Sequence, residues 1–378
     1  MRDIVDLIFA TAVLFGLATT TPCYADVDNG LAAYKAGDYA KALSELQPAA
    51  AQGSASAEKA LAKMYAIGQG VKEDGTQAIA WWTKAAEAGD AEAQWELGLE
   101  YTSGQRVKRD YRQAEGWYRK AADQGYGAAQ MNLANMLSGD YPPVLEDRVE
   151  AARWLQLAAD QNTMGAASFL GNWYSSGIGV PHDDAQAVYW WHRAAESSRL
   201  EFNAEANLGR SYELGRGVAQ DYAQAFFWYQ KAVSMSPMAK QGLARLYAEG
   251  LGTQKNTAQA LAIYSDLAKD GWQDAQRHLA GMYERGDGVQ KNLVIACAWY
   301  LLLEASNPTV GSDVRDLIAH TAPAGTLEKL DKAFANDARD AKANAERIAQ
   351  ELTAEQFDKA QNLASGWKRG QLIADVAP

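Results

Sequence analysis

Apolar residues recur along this chain with two superimposed periods. Within short segments they fall four residues apart, as at Ala93, Leu97 and Tyr101, which indicates one face of an amphipathic helix. Over longer distances a pair of bulky residues recurs, with spacings of 36, 37, 36, 38, 35 and 36 residues. The first members of these pairs are Trp81, Trp117, Trp154, Trp190, Trp228, Ile263 and Trp299. A nearly fixed period in this range predicts stacked repeats, each packing on its neighbours.

Each repeat divides into two helical halves joined by a short loop. Four loops read Gly-x-Gly-Val, at 68–71, 177–180, 215–218 and 286–289. Glycine ends a helix at low cost because it accepts a left-handed conformation. An Asp or Asn follows three residues after the Val, at Asp74, Asp110 and Asp221 for example, as expected for the N-cap of a second helix. The recurrence of the Trp-Tyr pair favours core packing over a carbohydrate-binding platform.

These units resemble Sel1-like repeats, which are relatives of the tetratricopeptide repeat, over roughly Ala55–Glu304. The resemblance implies an all-α fold, a right-handed α/α superhelical solenoid of about seven helix-turn-helix repeats with capping helices. It implies repeats over 55–305 and a degenerate capping hairpin at 26–54. After 306 we expect capping helices and a tail to 378, including an amphipathic helix from Leu327 to Leu352 and a capping box at 353–356.

The first 25 residues are interpreted as a signal peptide. The apolar run from Leu7 to Ala18 is too short to span a bilayer, and Cys23-Tyr-Ala25 resembles a cleavage site before Asp26. This predicts a periplasmic or secreted protein without a further membrane segment. Lipidation of Cys23 is the alternative, although Thr20-Thr21-Pro22 does not resemble the sequence that usually precedes a lipidated cysteine.

Composition and motifs disfavour nucleic-acid binding and catalysis. The formal net charge is −11, whereas phosphate binding needs a dense basic surface. The four histidines are dispersed, and His182-Asp183-Asp184 lies in a loop where other repeats are also polar. Cys297 lies on an apolar helix face and is interpreted as a small buried hydrophobe. We therefore predict no metal, no cofactor and no enzymatic activity.

A candidate binding face follows from the helical period. If Leu97 and Tyr101 are buried, residues two before and two after each such leucine point away from the core. By resemblance to tetratricopeptide hairpins, this side of the first helices lines a concave groove. Its apolar part and its basic part suggest a peptide or chain terminus with acidic groups. The candidate residues are Trp95, Leu99, Met131, Asn172, Arg210, Arg245 and Arg277.

The function predicted from these patterns is that of an exported, non-enzymatic scaffold or adaptor. It would bind a protein or peptide through the concave face, in bacterial envelope assembly or signalling. A cell-wall-acting hydrolase and a polysaccharide-export assembly factor are the alternatives. The hydrolase requires a catalytic constellation that the sequence does not show, and the assembly factor would still act by binding.

Overall fold

The computed structural model describes residues 27–139, 141–144, 146–197, 201–305 and 326–373. Every regular element in these ranges is a helix, which confirms the all-α prediction. The helices are α1 (Val27–Ala36), α2 (Tyr39–Ala51), α3 (Ala55–Ile67), α4 (Gly75–Glu87), α5 (Ala91–Ser103), α6 (Tyr111–Asp123), α7 (Gly127–Ser138), α8 (Arg148–Asp160), α9 (Ala166–Ser176), α10 (Asp184–Ser197), α11 (Phe202–Leu214), α12 (Tyr222–Ala232), α13 (Pro237–Glu249), α14 (Thr257–Lys269), α15 (Gln273–Arg285), α16 (Leu293–Ala305), α17 (Thr326–Ala349) and α18 (Ala354–Ser365).

The chain forms two compact units, divided between Thr163 and Met164. The first unit contains the hairpin α1–α2 and the repeats α3–α4, α5–α6 and α7–α8. The second contains the repeats α9–α10, α11–α12, α13–α14 and α15–α16, followed by α17 and α18. Within each unit, each repeat helix packs most closely on the helices that precede and follow it in the chain, whereas α17 and α18 both pack on α16. This consecutive packing confirms the predicted helix-turn-helix repeats.

The predicted caps determine where the repeat helices begin and end. Asp110 precedes α6, and its carboxylate accepts hydrogen bonds from the backbone N–H groups of Arg112 and Gln113, both at 3.0 Å. Gly104 ends α5 with a φ of 70°, and its N–H donates to the carbonyl of Glu100 at 2.9 Å. The same left-handed cap follows five other first helices, at Gly68, Gly177, Gly215, Gly250 and Gly286.

The two helices of a repeat approach closely where an aromatic ring meets a glycine. A Cβ atom at Gly98 on α5 would lie 2.3 Å from Cε1 of Tyr118 on α6. A Cβ at Gly209 on α11 would lie 2.5 Å from Cδ1 of Tyr229 on α12. Because real Cβ contacts are never this short, the ring occupies the space that any larger residue would need.

In the first unit the two members of the bulky pair are not buried equally, which corrects the prediction that both belong to the core. Consecutive helical residues point about 100° apart, so a single packed face buries one of them more than the other. In the first unit Tyr118 is 2% exposed, whereas its predecessor Trp117 is only half-buried. In the second unit both members are buried in the fourth, fifth and seventh repeats. Tyr101, expected in the core, is also only half-buried.

A buried glutamine links neighbouring repeats through a hydrogen bond. Three residues before the core leucine of a first helix, Gln94, Gln130 and Gln276 are each at most 4% exposed. Their side-chain amides donate to the carbonyls of residues 86, 122 and 268, at 3.0, 3.2 and 3.2 Å. Each acceptor lies eight residues earlier, in the last turn of the preceding helix. Glu58 takes this position in the first repeat and is 4% exposed.

The last repeat packs against the C-terminal helices. On α16, all residues from Ile295 to Tyr300 are buried, together with Leu302 and Leu303. Their neighbours in the same core include Ile348 of α17 and Leu363 of α18. The predicted capping box precedes α18, since Thr353 and Gln356 exchange hydrogen bonds at 2.9 and 3.2 Å.

Several sequence predictions lie outside the described residues. These are the signal peptide, Cys23 with its possible lipid, the segment 306–325 and the last residues, 374–378. In the part that the structure describes, no helix has both the length and the apolar character needed to cross a membrane.

Candidate functional site

In the first unit, the structure places the apolar candidates on the first helices of two successive repeats. Trp95 and Leu99 lie on α5 and Met131 lies on α7, and all three are half-buried. The ring centroid of Trp95 lies 5.7 Å from that of Tyr126, the residue that precedes α7. This contact joins the second repeat to the third. The three side chains retain solvent-accessible apolar surface, as expected for residues outside the core face.

A network of ion pairs lies beside these residues, on α3 and at the start of α5. The ammonium group of Lys59 lies 3.0 Å from a carboxylate oxygen of Asp90 and 2.8 Å from one of Glu92. Lys63 lies 2.6 Å from the other oxygen of Glu92. Partial burial alone would raise the pKa of Glu92, but the hydrogen bonds from both lysines outweigh it and lower that pKa. The carboxylate is therefore held ionised and fixed between two cations.

In the second unit, Asn172 is a structural contact between repeats. Its side-chain oxygen accepts a hydrogen bond from the indole N–H of Trp191 at 3.0 Å and another from the amide of Asn207 at 2.9 Å. Trp191 belongs to the same repeat as Asn172, while Asn207 belongs to the next. The oxygen of Asn172 thus holds three helices of this unit in register, and is already engaged by the protein itself.

Arg245 is neutralised by a buried carboxylate from the preceding repeat. Its Nε donates to Oε1 of Glu213 at 2.7 Å, and a terminal guanidinium nitrogen pairs with the same oxygen. The other oxygen of Glu213 accepts a hydrogen bond from the hydroxyl of Tyr229 at 2.7 Å. The side chain of Glu213 is 5% exposed. Burial opposes ionisation of Arg245, but the bonds to Glu213 outweigh this effect and raise its pKa.

Arg277 is also paired within the chain, whereas Arg210 is exposed. Arg277 lies 2.9 Å from Asp274 in its own helix and 3.2 Å from Asp337 in α17. Arg210 forms no ion pair with the residues that the structure describes, and its side chain faces solvent.

These contacts correct the idea that three aligned arginines require an external anion. The carboxylates of Glu213, Asp274 and Asp337 supply that charge for Arg245 and Arg277. Asp274 lies in the same helix as Arg277, but Glu213 lies 32 residues upstream of Arg245 and Asp337 lies 60 residues downstream of Arg277, so the spacing within one repeat does not show these two partners. The predicted candidate residues did not include Glu213, which binds both Arg245 and Tyr229. Its position directly after a first-helix tyrosine is the one signal for it in the sequence.

The remaining chemical candidates have structural surroundings. His182 is exposed; one ring nitrogen lies 2.9 Å from the carbonyl of Ser175 and the other 3.6 Å from Asp184. Cys297 is buried, and burial raises its thiol pKa to about 11. The described residues contain no group of three or more His, Cys, Asp or Glu side chains arranged to hold a metal ion.

Comparison with known proteins identifies the repeats. The sequence model of the Sel1 repeat matches seven successive segments, at 55–90, 91–126, 127–163, 165–198, 203–236, 237–271 and 273–303. None of the curated protein sequences matches the chain. Among solved structures, a Sel1 repeat protein from Oxalobacter formigenes is 33% identical, with a TM-score of 0.54. The match covers 65% of this chain and 100% of that protein.

Two further structures are similar at lower scores. A protective antigen with an SLR fold, present in uropathogenic Escherichia coli strains, is 24% identical, with a TM-score of 0.45 over 89% of this chain and 82% of that one. A sel1 repeat protein from Klebsiella pneumoniae is 25% identical, with a TM-score of 0.33 over 52% of this chain and 95% of that one.

Proposed function

Because the chain belongs to the Sel1 repeat family, whose members are generally protein-interaction scaffolds, we propose that it is a non-enzymatic adaptor that binds a protein partner. We place the contact on the face formed by Trp95, Leu99 and Met131, called here the first-helix face. The observation that supports this choice is the half-burial of three large apolar side chains on successive repeats. Tryptophan in such a position contributes strongly to protein interfaces, because it combines a large contact area with a polar edge.

The polar surroundings of this face suit a peptide or loop. Lys59, Lys63 and Glu92 form a fixed charged rim beside the apolar residues. An apolar centre with a polar rim is the usual composition of a protein–protein contact. The second unit is less suited, because Arg245 and Arg277 are already neutralised by carboxylates of this chain.

The same proposal places the protein outside the cytoplasm, in the cell envelope or secreted. The support is sequence alone: a short apolar run followed by Cys23-Tyr-Ala25. Cell fractionation with mass analysis of the intact protein should show a chain that begins at Asp26. A cytoplasmic protein that retains Met1, or a lipid on Cys23, would contradict this part of the proposal.

Site-specific photocrosslinking in living cells tests the binding face. A photoreactive amino acid at Leu99 should give an adduct of discrete mass with one protein partner, identified by mass spectrometry. The matched control carries the same amino acid at Glu87, an exposed residue near the end of α4. Met131→Glu, which puts a charge within the same face, should abolish the Leu99 adduct. The same adducts at both positions, or none at Leu99, would place the function elsewhere.

A further inference from the structure

An open cleft lies in the first unit, and its lining includes none of the three residues of the first-helix face. It has a volume of about 840 Å³ and is formed where the loop before α6 approaches the segment that follows α7. The loop and the first turn of α6 contribute residues 107–113, α5 contributes Tyr101, and the segment contributes Pro142 and Pro143. The cleft therefore lies at the interhelical loops of the second and third repeats.

Three cations surround this cleft, in a chain whose formal net charge is −11. Lys108, Arg109 and Arg112 are exposed, and none of them forms an ion pair within the described ranges. Arg109 donates one hydrogen bond, to the carbonyl of Ser103 at 3.2 Å. Asp110 is the acidic residue of this loop, and its Oδ1 accepts the hydrogen bonds that cap α6. Cations held together without carboxylate partners form a surface suited to an anionic ligand.

The repeats provide an internal comparison for this charge. The five residues that follow Val107 carry a net charge of +2, from one lysine, two arginines and one aspartate. The corresponding segments carry −1 in the first repeat, at 72–76, and −1 in the fifth, at 219–223. Helix capping requires only the aspartate, which these segments share. The extra cations of the second repeat are thus not needed to form the fold.

The cleft also has an aromatic wall. The ring of Tyr111 lines the cleft, and the ring of Tyr141 supports it edge to face, with centroids 5.1 Å apart. The guanidinium carbon of Arg109 lies 6.0 Å from the centroid of Tyr111. The hydroxyl of Tyr141 accepts a hydrogen bond from the amide of Asn135 at 3.3 Å. Tyr141 and the two prolines that follow it belong to the third repeat, so apolar surface from one repeat faces cations from another.

We propose that this cleft, called here the basic cleft, is a second docking site and that its occupant is an acidic, extended segment of a protein partner. The proposal rests on the adaptor function above and adds the chemistry of a partner contact. Carboxylates would pair with Lys108, Arg109 and Arg112, while apolar side chains would contact the tyrosines and prolines. A nucleic acid is disfavoured because the protein as a whole is strongly acidic and would repel an extended polyanion.

Fluorescence anisotropy with the full chain and labelled synthetic peptides tests the basic cleft. The probe is a short peptide of glutamates and aspartates with one tyrosine, and the matched neutral probe has glutamine and asparagine in their place. We expect the acidic peptide to bind at least about tenfold more tightly than the neutral one, and to weaken as salt is raised, because exposed charges are screened.

Charge-removal variants locate the binding. The triple variant Lys108→Gln, Arg109→Gln, Arg112→Gln should lower the affinity for the acidic peptide to that of the neutral probe. The control variant Lys35→Gln, Lys255→Gln, Lys291→Gln removes the same charge from exposed lysines outside the cleft and should leave the affinity unchanged. A single charge reversal, Arg112→Glu, tests whether the acidic peptide binds in the basic cleft and leaves Lys108 and Arg109 unchanged. Its thermal unfolding should match that of the unmodified protein, and its affinity should fall.

Four results would overturn the proposal. The first is equal affinity for the acidic and neutral peptides, and the second is equal affinity of the cleft triple variant and the unmodified protein for the acidic peptide. The third is an equal loss of affinity in the cleft and control triple variants. The fourth is cleft-dependent binding of inorganic phosphate or single-stranded RNA that is tighter than binding of the acidic peptide. The failure of this proposal is distinguishable from failure of the adaptor function. If crosslinking at Leu99 still captures a partner while the basic cleft variant behaves like the unmodified protein, only the second docking site is wrong.

Discussion

Glu58 occupies a position where other repeats use glutamine, and Glu58→Gln should stabilise the protein at neutral pH. Glu58 is 4% exposed, and its Oε2 atom has no hydrogen-bond partner. At the matching position, the amide of Gln94 donates to the carbonyl of residue 86 at 3.0 Å. The matching carbonyl for residue 58 is that of Ala50, in the last turns of α2. A glutamine at 58 can make this bond, whereas an ionised carboxylate cannot.

The expected gain has two sources. A new buried hydrogen bond contributes about 1 kcal/mol, and removal of an unsatisfied buried acceptor contributes about 1–3 kcal/mol. Because Lys84 offsets part of the cost of the carboxylate, we expect the total to fall below the sum of these two contributions, to about 1–3 kcal/mol at neutral pH.

The gain should depend on pH. Burial raises the pKa of Glu58 above its ordinary value of 4.5, and the positive charge of Lys84 opposes this only in part. Between pH 4.5 and the raised pKa, the folded state therefore holds a proton that the unfolded state has released. The stabilisation from this proton is complete below pH 4.5 and is lost as pH rises through the raised pKa. The advantage of the glutamine variant should be small in acid and should grow towards neutral pH.

Hydrogen exchange of α3, combined with urea unfolding over a pH series, measures this effect. Glu73→Gln, at an exposed residue of the same unit, is the control for loss of one charge and should change stability little. Gln94→Glu is the reverse change and should create the same pH dependence one repeat later. If Glu58→Gln is no more stable at neutral pH, or if its advantage is the same at all pH values, the reasoning about the buried carboxylate is wrong.

Three further outcomes follow from packing and charge. Gly98→Ala should lower the free energy of unfolding by about 1–3 kcal/mol, because the added Cβ would overlap Tyr118. Gly116→Ala adds a Cβ that meets no atom within 4 Å, so it should raise the free energy of unfolding by about 0.5–1 kcal/mol. Chemical denaturation measures both changes. Tyr118→Ala should cost about 3–5 kcal/mol, and replacement of the half-buried tryptophan before it should cost less in the same assay. Arg245→Ala should lower the melting temperature because it leaves a buried carboxylate unpaired, whereas Arg210→Ala should not; equal effects would contradict the pairing.

Local patterns in the sequence were sufficient to predict the repeats. The spacing of bulky residues predicted the helix pairs, and the loop pattern correctly predicted that Asp110 begins one helix and that Gly68 ends another. The helical period also predicted that Trp95 and Leu99 point away from the core leucines, and both are half-buried in the structure. Each of these features depends on residues within a few turns of one another. The chain's own periodicity is enough to reveal them.

Features that depend on two repeats were not predictable in the same way. The partner of Arg245 is Glu213, one repeat earlier, and that of Arg277 includes Asp337, in a helix outside the repeats. A helical period shows which way a side chain points but not which charge meets it. The unequal burial of Trp117 and Tyr118 has the same origin, since adjacent residues share a pattern but face different neighbours.

The way α17 and α18 cover the seventh repeat restricts how this array can change its length. The apolar residues of α16 pack against α17 and α18 rather than against another repeat. In addition, Arg347 of α17 donates a hydrogen bond to Glu284 of the seventh repeat at 2.7 Å. A repeat inserted after Ala305 would separate these matched surfaces and expose both. Duplication within the array would keep them together, because inner repeats meet equivalent neighbours on each side. Relatives of different length should therefore gain or lose inner repeats and keep the seventh repeat joined to its covering helices.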